Sequence, residues 1–80
     1  MNGVRIILRS MLLTQDEKSV LVWHAMGKGR WYTVDLCKRT NLLAGDIYSA
    51  LYVMEHLGIV KSEWIEGPYP RRRLYWRTDR

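Results

Sequence analysis

The stretch Gly45-Asp46-Ile47-Tyr48-Ser49-Ala50-Leu51-Tyr52-Val53-Met54-Glu55-His56-Leu57-Gly58-Ile59-Val60-Lys61-Ser62-Glu63-Trp64 decides the fold, because its hydrophobic period changes once along its length. Ile47, Ala50, Leu51, Met54 and Leu57 recur at the spacing of one helical face. Gly58 stands where a glycine ends a helix. From Ile59 the pattern alternates: Val60, Ser62 and Trp64 against Ile59, Lys61, Glu63 and Ile65. A second β-rich run occupies 71–77, and Gly67-Pro68-Tyr69-Pro70 between the two cannot continue a strand ladder. The spacing predicts a helix from Asp46 to Leu57 and a β-hairpin over 59–66 and 71–77.

Working back toward the N-terminus, Asn41 to Gly45 reads as a tight connection. A short helix, 34–40, precedes it, with Thr33 as its cap and Val34, Cys37 and Leu36 as candidates for the inward side. Lys38 and Arg39 sit in its last turn, where the dipole favours cations. Gly29-Arg30-Trp31-Tyr32 suits a short strand. Thr14-Gln15-Asp16-Glu17 reads as a capping box opening a helix over about 15–26, its stripe expected at Val20, Leu21, Trp23, His24 and Ala25, with Gly27 ending it. Val4, Ile7, Leu8, Met11 and Leu12 have helical spacing as well, although a strand through Ile6-Ile7 competes. The order of elements is that of an α+β winged helix-turn-helix: a three-helix core with a short strand and a C-terminal hairpin wing. It divides as an N-terminal segment, 1–13, and a winged-helix domain, 14–80.

The 80 residues make one small domain, and 48% hydrophobic content supplies one core. A single cysteine excludes an internal disulfide framework and a cysteine-rich zinc site. The longest clean apolar run is Ile6-Ile7-Leu8, too short to span a bilayer, and Arg9 interrupts what would be a secretory signal. A soluble, cytoplasmic protein is expected. Cys37 lacks an activating base, His24 and His56 form no metal spacing with it, and Gly27-Lys28-Gly29 is no phosphate loop. Neither an enzyme nor a cofactor or metal protein is expected.

The net charge of +5 is uneven. Arg71, Arg72, Arg73, Arg77 and Arg80 against Asp79 carry four of the five positive charges within 67–80. Such a basic stripe, interleaved with Leu74, Tyr75 and Trp76, points to nucleic acid; the bland alternative is a solvated edge strand that resists aggregation. Tyr48, Ser49 and Tyr52 fall opposite the apolar stripe of the third helix and could meet phosphates or base edges, or could be ordinary surface. Asp46 reads as a dipole group or a base acceptor. Tyr69, between two prolines, is poorly placed for burial and reads as an insertion point. Trp31, Trp64, Trp76 and Tyr75 could stack on single-stranded bases, but a wing tryptophan packed under the third helix is the more expected place for Trp64.

The residues Tyr32, Asp35-Leu36, Lys38-Arg39, then Gly45 to Leu51, Met54 to Val60, Ser62-Glu63-Trp64 and Arg71 to Tyr75 with Arg77-Thr78 together resemble the PadR-like winged-helix transcription regulators over 29–78. The resemblance implies a dimeric, sequence-specific repressor on double-stranded DNA, with the third helix in the major groove and the wing on the backbone. Two features depart from that pattern. The helix opens Leu43-Ala44-Gly45-Asp46 rather than Ser-Pro-Gly-Thr, and no Lys or Arg occurs from Thr40 to Val60. The expected contacts are Asp46, Tyr48, Ser49 and Tyr52 from the third helix, and Lys38, Arg39, Lys61, Tyr69, Arg71, Arg72 and Arg73 on phosphates. Ile7, Leu8, Met11 and Leu12 are expected to form the homodimer contact. A protein-interaction module and an architectural or recombination factor are the alternatives.

Overall fold

The computed structural model describes residues 10–67 and 72–79. Its elements run α1 (Gln15–Met26), β1 (Arg30–Tyr32), α2 (Thr33–Thr40), α3 (Ala44–His56), β2 (Val60–Ile65) and β3 (Arg72–Arg77). The expected architecture is present, including both strands of the wing. Residues 10–12 are also helical; Ile6-Ile7, on which the strand alternative rests, lie outside the described residues. Ile7, Leu8, Tyr69 and Arg71, all named above as candidate contacts, lie outside the described residues.

The capping box at the start of α1 forms as read. Thr14 Oγ1 accepts from the Glu17 amide at 3.1 Å, and Glu17 Oε1 accepts from the Thr14 amide at 2.9 Å. These bonds hold the Glu17 carboxyl below its ordinary range, the backbone bond first. The end of α3 closes as a Schellman turn: the Ile59 amide donates to Met54 O and the Gly58 amide to Glu55 O, each at 3.1 Å. Gly58 sits at φ +79°, which side-chain-bearing residues rarely adopt. Its carbonyl then accepts from Thr78 Oγ1 at 2.9 Å, tying the end of the wing to the same turn.

Four expectations are corrected. The cap of α2 is Tyr32, not Thr33: the strand's extended backbone runs straight into the helix, so Thr33 is already helical. The inward residues of α2 are Leu36 and Thr40, whereas Val34 faces solvent and Cys37 is half-buried. On α1 the buried positions are Val22 and Met26, with Val20 exposed; apolar residues lie on several sides of this helix, so spacing alone did not fix its phase. Leu57 is 69% exposed, because the Schellman turn begins there and swings the side chain off the helical stripe.

The core joins Val22 and Met26 of α1, Leu36 of α2, Leu42, then Ile47, Ala50, Leu51 and Met54 of α3, with Val60 and Tyr75 from the wing. Trp31 in β1 donates Nε1–H to Met26 O at 2.6 Å, fastening the strand to the end of α1. The antiparallel sheet has the order β1-β3-β2. Trp31 pairs with Tyr75 and Ser62 pairs with Tyr75 from the other side; Trp64 pairs with Arg73. Alternation therefore puts Trp31, Val60, Ser62, Trp64, Arg73, Tyr75 and Arg77 on the helix-facing side. Arg30, Tyr32, Lys61, Glu63, Arg72, Leu74 and Trp76 point from the other side.

Truncation should separate these environments. Leu36→Ala is expected to cost about 2–5 kcal/mol in urea unfolding. Gly58→Ala should cost about 1 kcal/mol through its φ alone, since no heavy atom lies within 4 Å of an added Cβ. Leu57→Ala should stay within about 0.5 kcal/mol. A Leu57 cost matching that of Leu36 would contradict the packing.

Candidate nucleic-acid interface

The uncovered face of α3 carries Tyr48, Ser49 and Tyr52, with the two tyrosines 55% and 65% exposed. His56 extends it by one turn, its ring centroid 4.3 Å from that of Tyr52 and its Nδ1 3.2 Å from the Tyr52 carbonyl oxygen. Among the described residues α3 itself places no Lys or Arg on this face, as the sequence forewarned. Asp46 is not part of it: its carboxylate bridges Lys18 of α1 at 3.1 Å, which bolts the first turn of α3 to α1. The start of α3 has no side-chain cap. Instead the buried Ser10 hydroxyl accepts from the Leu43 amide at 3.1 Å, drawing the preceding helical turn onto the α2–α3 connection.

The wing is held to α3 by three side chains. Ser62 Oγ donates to Glu55 Oε2 at 2.7 Å; Arg73 Nε donates to Ser62 Oγ at 2.7 Å; Arg73 Nη2 meets the same carboxylate oxygen at 3.3 Å. The guanidinium also lies over the Trp64 ring, 5.2 Å from its centroid. Arg73 is thus neutralised within the fold. Trp64 is not packed under α3 as expected. It is 51% exposed, because α3 reaches only as far along β2 as Ser62 and the ribbon beyond projects past the end of β1.

Along the α3 side of this ribbon and around the β3 edge that β1 leaves unpaired beyond Tyr32 runs a groove of about 600 Å³, lined by Tyr48, Trp64, Arg73 and Tyr75 from the helix-facing side and by Tyr32 and Arg72 from the other, with Thr33 and Val34 at the start of α2 on its rim. Burial pushes the Tyr75 hydroxyl above its ordinary value of 10.0, partly offset by Arg73. Arg72 lies over the Tyr32 ring at 5.5 Å and makes no ion pair among the described residues.

The remaining expected contacts separate. Arg39 turns toward α1, donating Nε–H to Ala25 O at 3.1 Å and stacking on Trp31 at 4.6 Å. Lys38, next to it, is exposed. Lys61 stands on the outer face of the sheet with Arg30 and Trp76, opposite the side that meets α3. The structure brings together Tyr48, Ser49, Tyr52, Arg72 and Arg73, and places Asp46, Arg39 and Lys61 elsewhere. Sequence reading offered Trp64 as a stacking ring but expected it in the core, and it missed Tyr32 as a groove wall and Glu55 as the partner of Arg73; strand parity was the one available signal, since it puts Ser62, Trp64 and Arg73 on one face. Burial raises the Cys37 thiol above its ordinary 9.0, and no cluster of metal-ligating residues occurs among the described residues.

This geometry defines a winged helix-turn-helix protein. Solved structures agree. A PadR family transcription regulator from hypervirulent Clostridium difficile is 25% identical, at a TM-score of 0.68, covering 78% of this chain and 72% of its own. A padr family transcriptional regulator from Eggerthella lenta is 24% identical at 0.68, covering 91% and 70%. Pex from Synechococcus is 21% identical at 0.63, covering 89% and 77%. No family model and no curated protein matches the sequence. The chain has a PadR-like winged-helix fold, and no helix among the described residues is long and apolar enough to cross a membrane.

The Glu55–Ser62–Arg73 network yields a direct expectation. Its groups are about one-third exposed (36% for Arg73, 33% for Glu55), so solvent screening limits its strength. A double-mutant cycle with Glu55→Ala and Arg73→Ala in urea should give a coupling of about 1 kcal/mol. Strict additivity would show the wing to be docked by the core alone.

Proposed function

We propose that the chain binds double-stranded DNA and regulates transcription by occupying an operator, as a repressor. The observation that carries this reading is the uncovered Tyr48–Ser49–Tyr52 face of α3, flanked on the same side by the wing. PadR family transcription regulators share the fold. In this reading α3 enters the major groove, where the Ser49 and tyrosine hydroxyls meet base edges or phosphates and the rings meet thymine methyls. Arg72, without an ion pair among the described residues, holds a phosphate, and Lys38 holds another at the end of α2. Tyr69 and Arg71, between the two wing strands in sequence, are proposed as further contacts. Arg73 acts through the pose of the wing rather than on the duplex.

Dimerisation through the N-terminal segment, 1–13, completes the proposal. Met11 and Leu12 are both well exposed on the helical turn before α1, and Ile7 and Leu8 continue the same spacing. Two copies would read half-sites about 34–36 Å apart.

A second reading has its own support. Val20, Trp23, Val53, Leu57 and Ile59 line an apolar groove of about 490 Å³ between α1 and α3, and α3 itself lacks cations. A protein-interaction module would use that side and bind DNA weakly.

Selection from a random duplex pool at two salt concentrations separates the readings. Enrichment of a palindrome is expected. Arg72→Ala should then weaken binding to all sequences alike and flatten the log K versus log salt slope by about 0.9 per copy. Tyr48→Ala with Tyr52→Ala should erase the preference among sequences. Absence of enrichment favours the protein-partner reading.

A further inference from the structure

The groove between α3 and the wing has the wrong shape for a phosphate track alone. A track needs cations in a row, yet of the two arginines among its described lining residues one is already paired with Glu55. What the groove offers instead is aromatic surface. Tyr48 and Trp64 are half exposed on its two sides, the Arg73 guanidinium lying over one face of the Trp64 ring, and Tyr32 and the buried Tyr75 complete it. Ring faces stack on nucleobases irrespective of sequence. Inside a continuous duplex every base face is already covered by its neighbours, so such walls match a base that has left the stack. Arg72 adds one charge at the groove edge, supported on the Tyr32 ring and without a carboxylate partner among the described residues. The volume, about 600 Å³, falls within the range of small-ligand pockets, roughly 300–1,000 Å³.

We infer that this groove accepts one unstacked nucleotide of a DNA strand, its base against Tyr48 and Trp64 and its phosphate on Arg72. The inference rests on the duplex-binding reading and adds a preference to it. The strand is favoured over a free nucleotide because Tyr48 belongs both to the groove and to the exposed face of α3, so a base placed here continues a strand followed by that helix. The site therefore distinguishes DNA carrying an unpaired or easily unstacked base at the position the wing reaches from fully stacked DNA of the same sequence.

The test compares the full chain on a short duplex recovered by selection, the same duplex with a single bulged 2-aminopurine, and free 2-aminopurine nucleotide. The bulged duplex is expected to bind about tenfold tighter than the paired one, with the probe's emission quenched on binding. Trp64→Ala should remove that gain, and Trp64→Phe should keep most of it. Trp64 is exposed enough for both variants to fold, which circular dichroism checks. Equal affinity for the bulged and paired duplexes, or a gain that survives Trp64→Ala, overturns the inference and leaves duplex binding standing. Failure of both duplexes to bind overturns it together with the duplex reading. Quenching of the free nucleotide at the same concentrations as the bulged duplex overturns the assignment to a strand.

Discussion

One carboxylate organises the face proposed for DNA. Glu55 projects from the last turn of α3 and receives both the Ser62 hydroxyl and the Arg73 guanidinium. The Schellman turn at Gly58 brings the chain back so that β2 passes beside the helix it has just left, and the three side chains close that return. The network is partly exposed, and its energy is modest. Its consequence is geometric: it fixes the angle at which the ribbon leaves the core, and so the width of the groove between Tyr48 and Trp64.

The same network changes the electrostatics. The cluster of arginines near the C-terminus looks like a block of available charge, but the fold spends much of it internally. Arg73 is matched by Glu55. Arg77 is held by Asp79 and lies over the Trp23 ring, joining β3 to α1. Arg30 pairs with Glu63 at 3.5 Å and covers Trp76. Arg72 is the cation of the groove without an ion pair among the described residues. Among the described residues the groove thus combines one arginine outside any ion pair with several exposed rings, which departs from a purely electrostatic clamp, and its affinity would come in larger part from aromatic contact.

Much of the fold was legible because its signals are local. Thr14 and Glu17 are three residues apart, Gly58 follows directly on the α3 stripe, and the period shift at Ile59 marks the wing. Helix phase was legible where the apolar stripe was single, at Ile47, Ala50, Leu51 and Met54, and failed on α1, where Val20 and Val22 compete. The site was harder, since its decisive pairs are distant in sequence: Lys18 with Asp46, Glu55 with Arg73, Tyr48 with Trp64. No local rule says that Asp46 will turn to α1 or that Lys61 will occupy the sheet's outer face. The residues that carried the family resemblance nonetheless include Glu55, Ser62 and Arg73, and the structure gives them a physical reason to occur together.

The central claim is that α3 and the projecting ribbon form one surface for a duplex. Amide and indole chemical-shift mapping of the labelled chain, titrated with a selected duplex, tests it directly. The account predicts shifts concentrated at Tyr48, Ser49, Tyr52, the Trp64 indole and Arg72, with Lys61 and Trp76, at the opposite end of the sheet's outer face from Arg72, unmoved. Shifts centred on that outer face, or on Val20, Leu57 and Ile59, would contradict it.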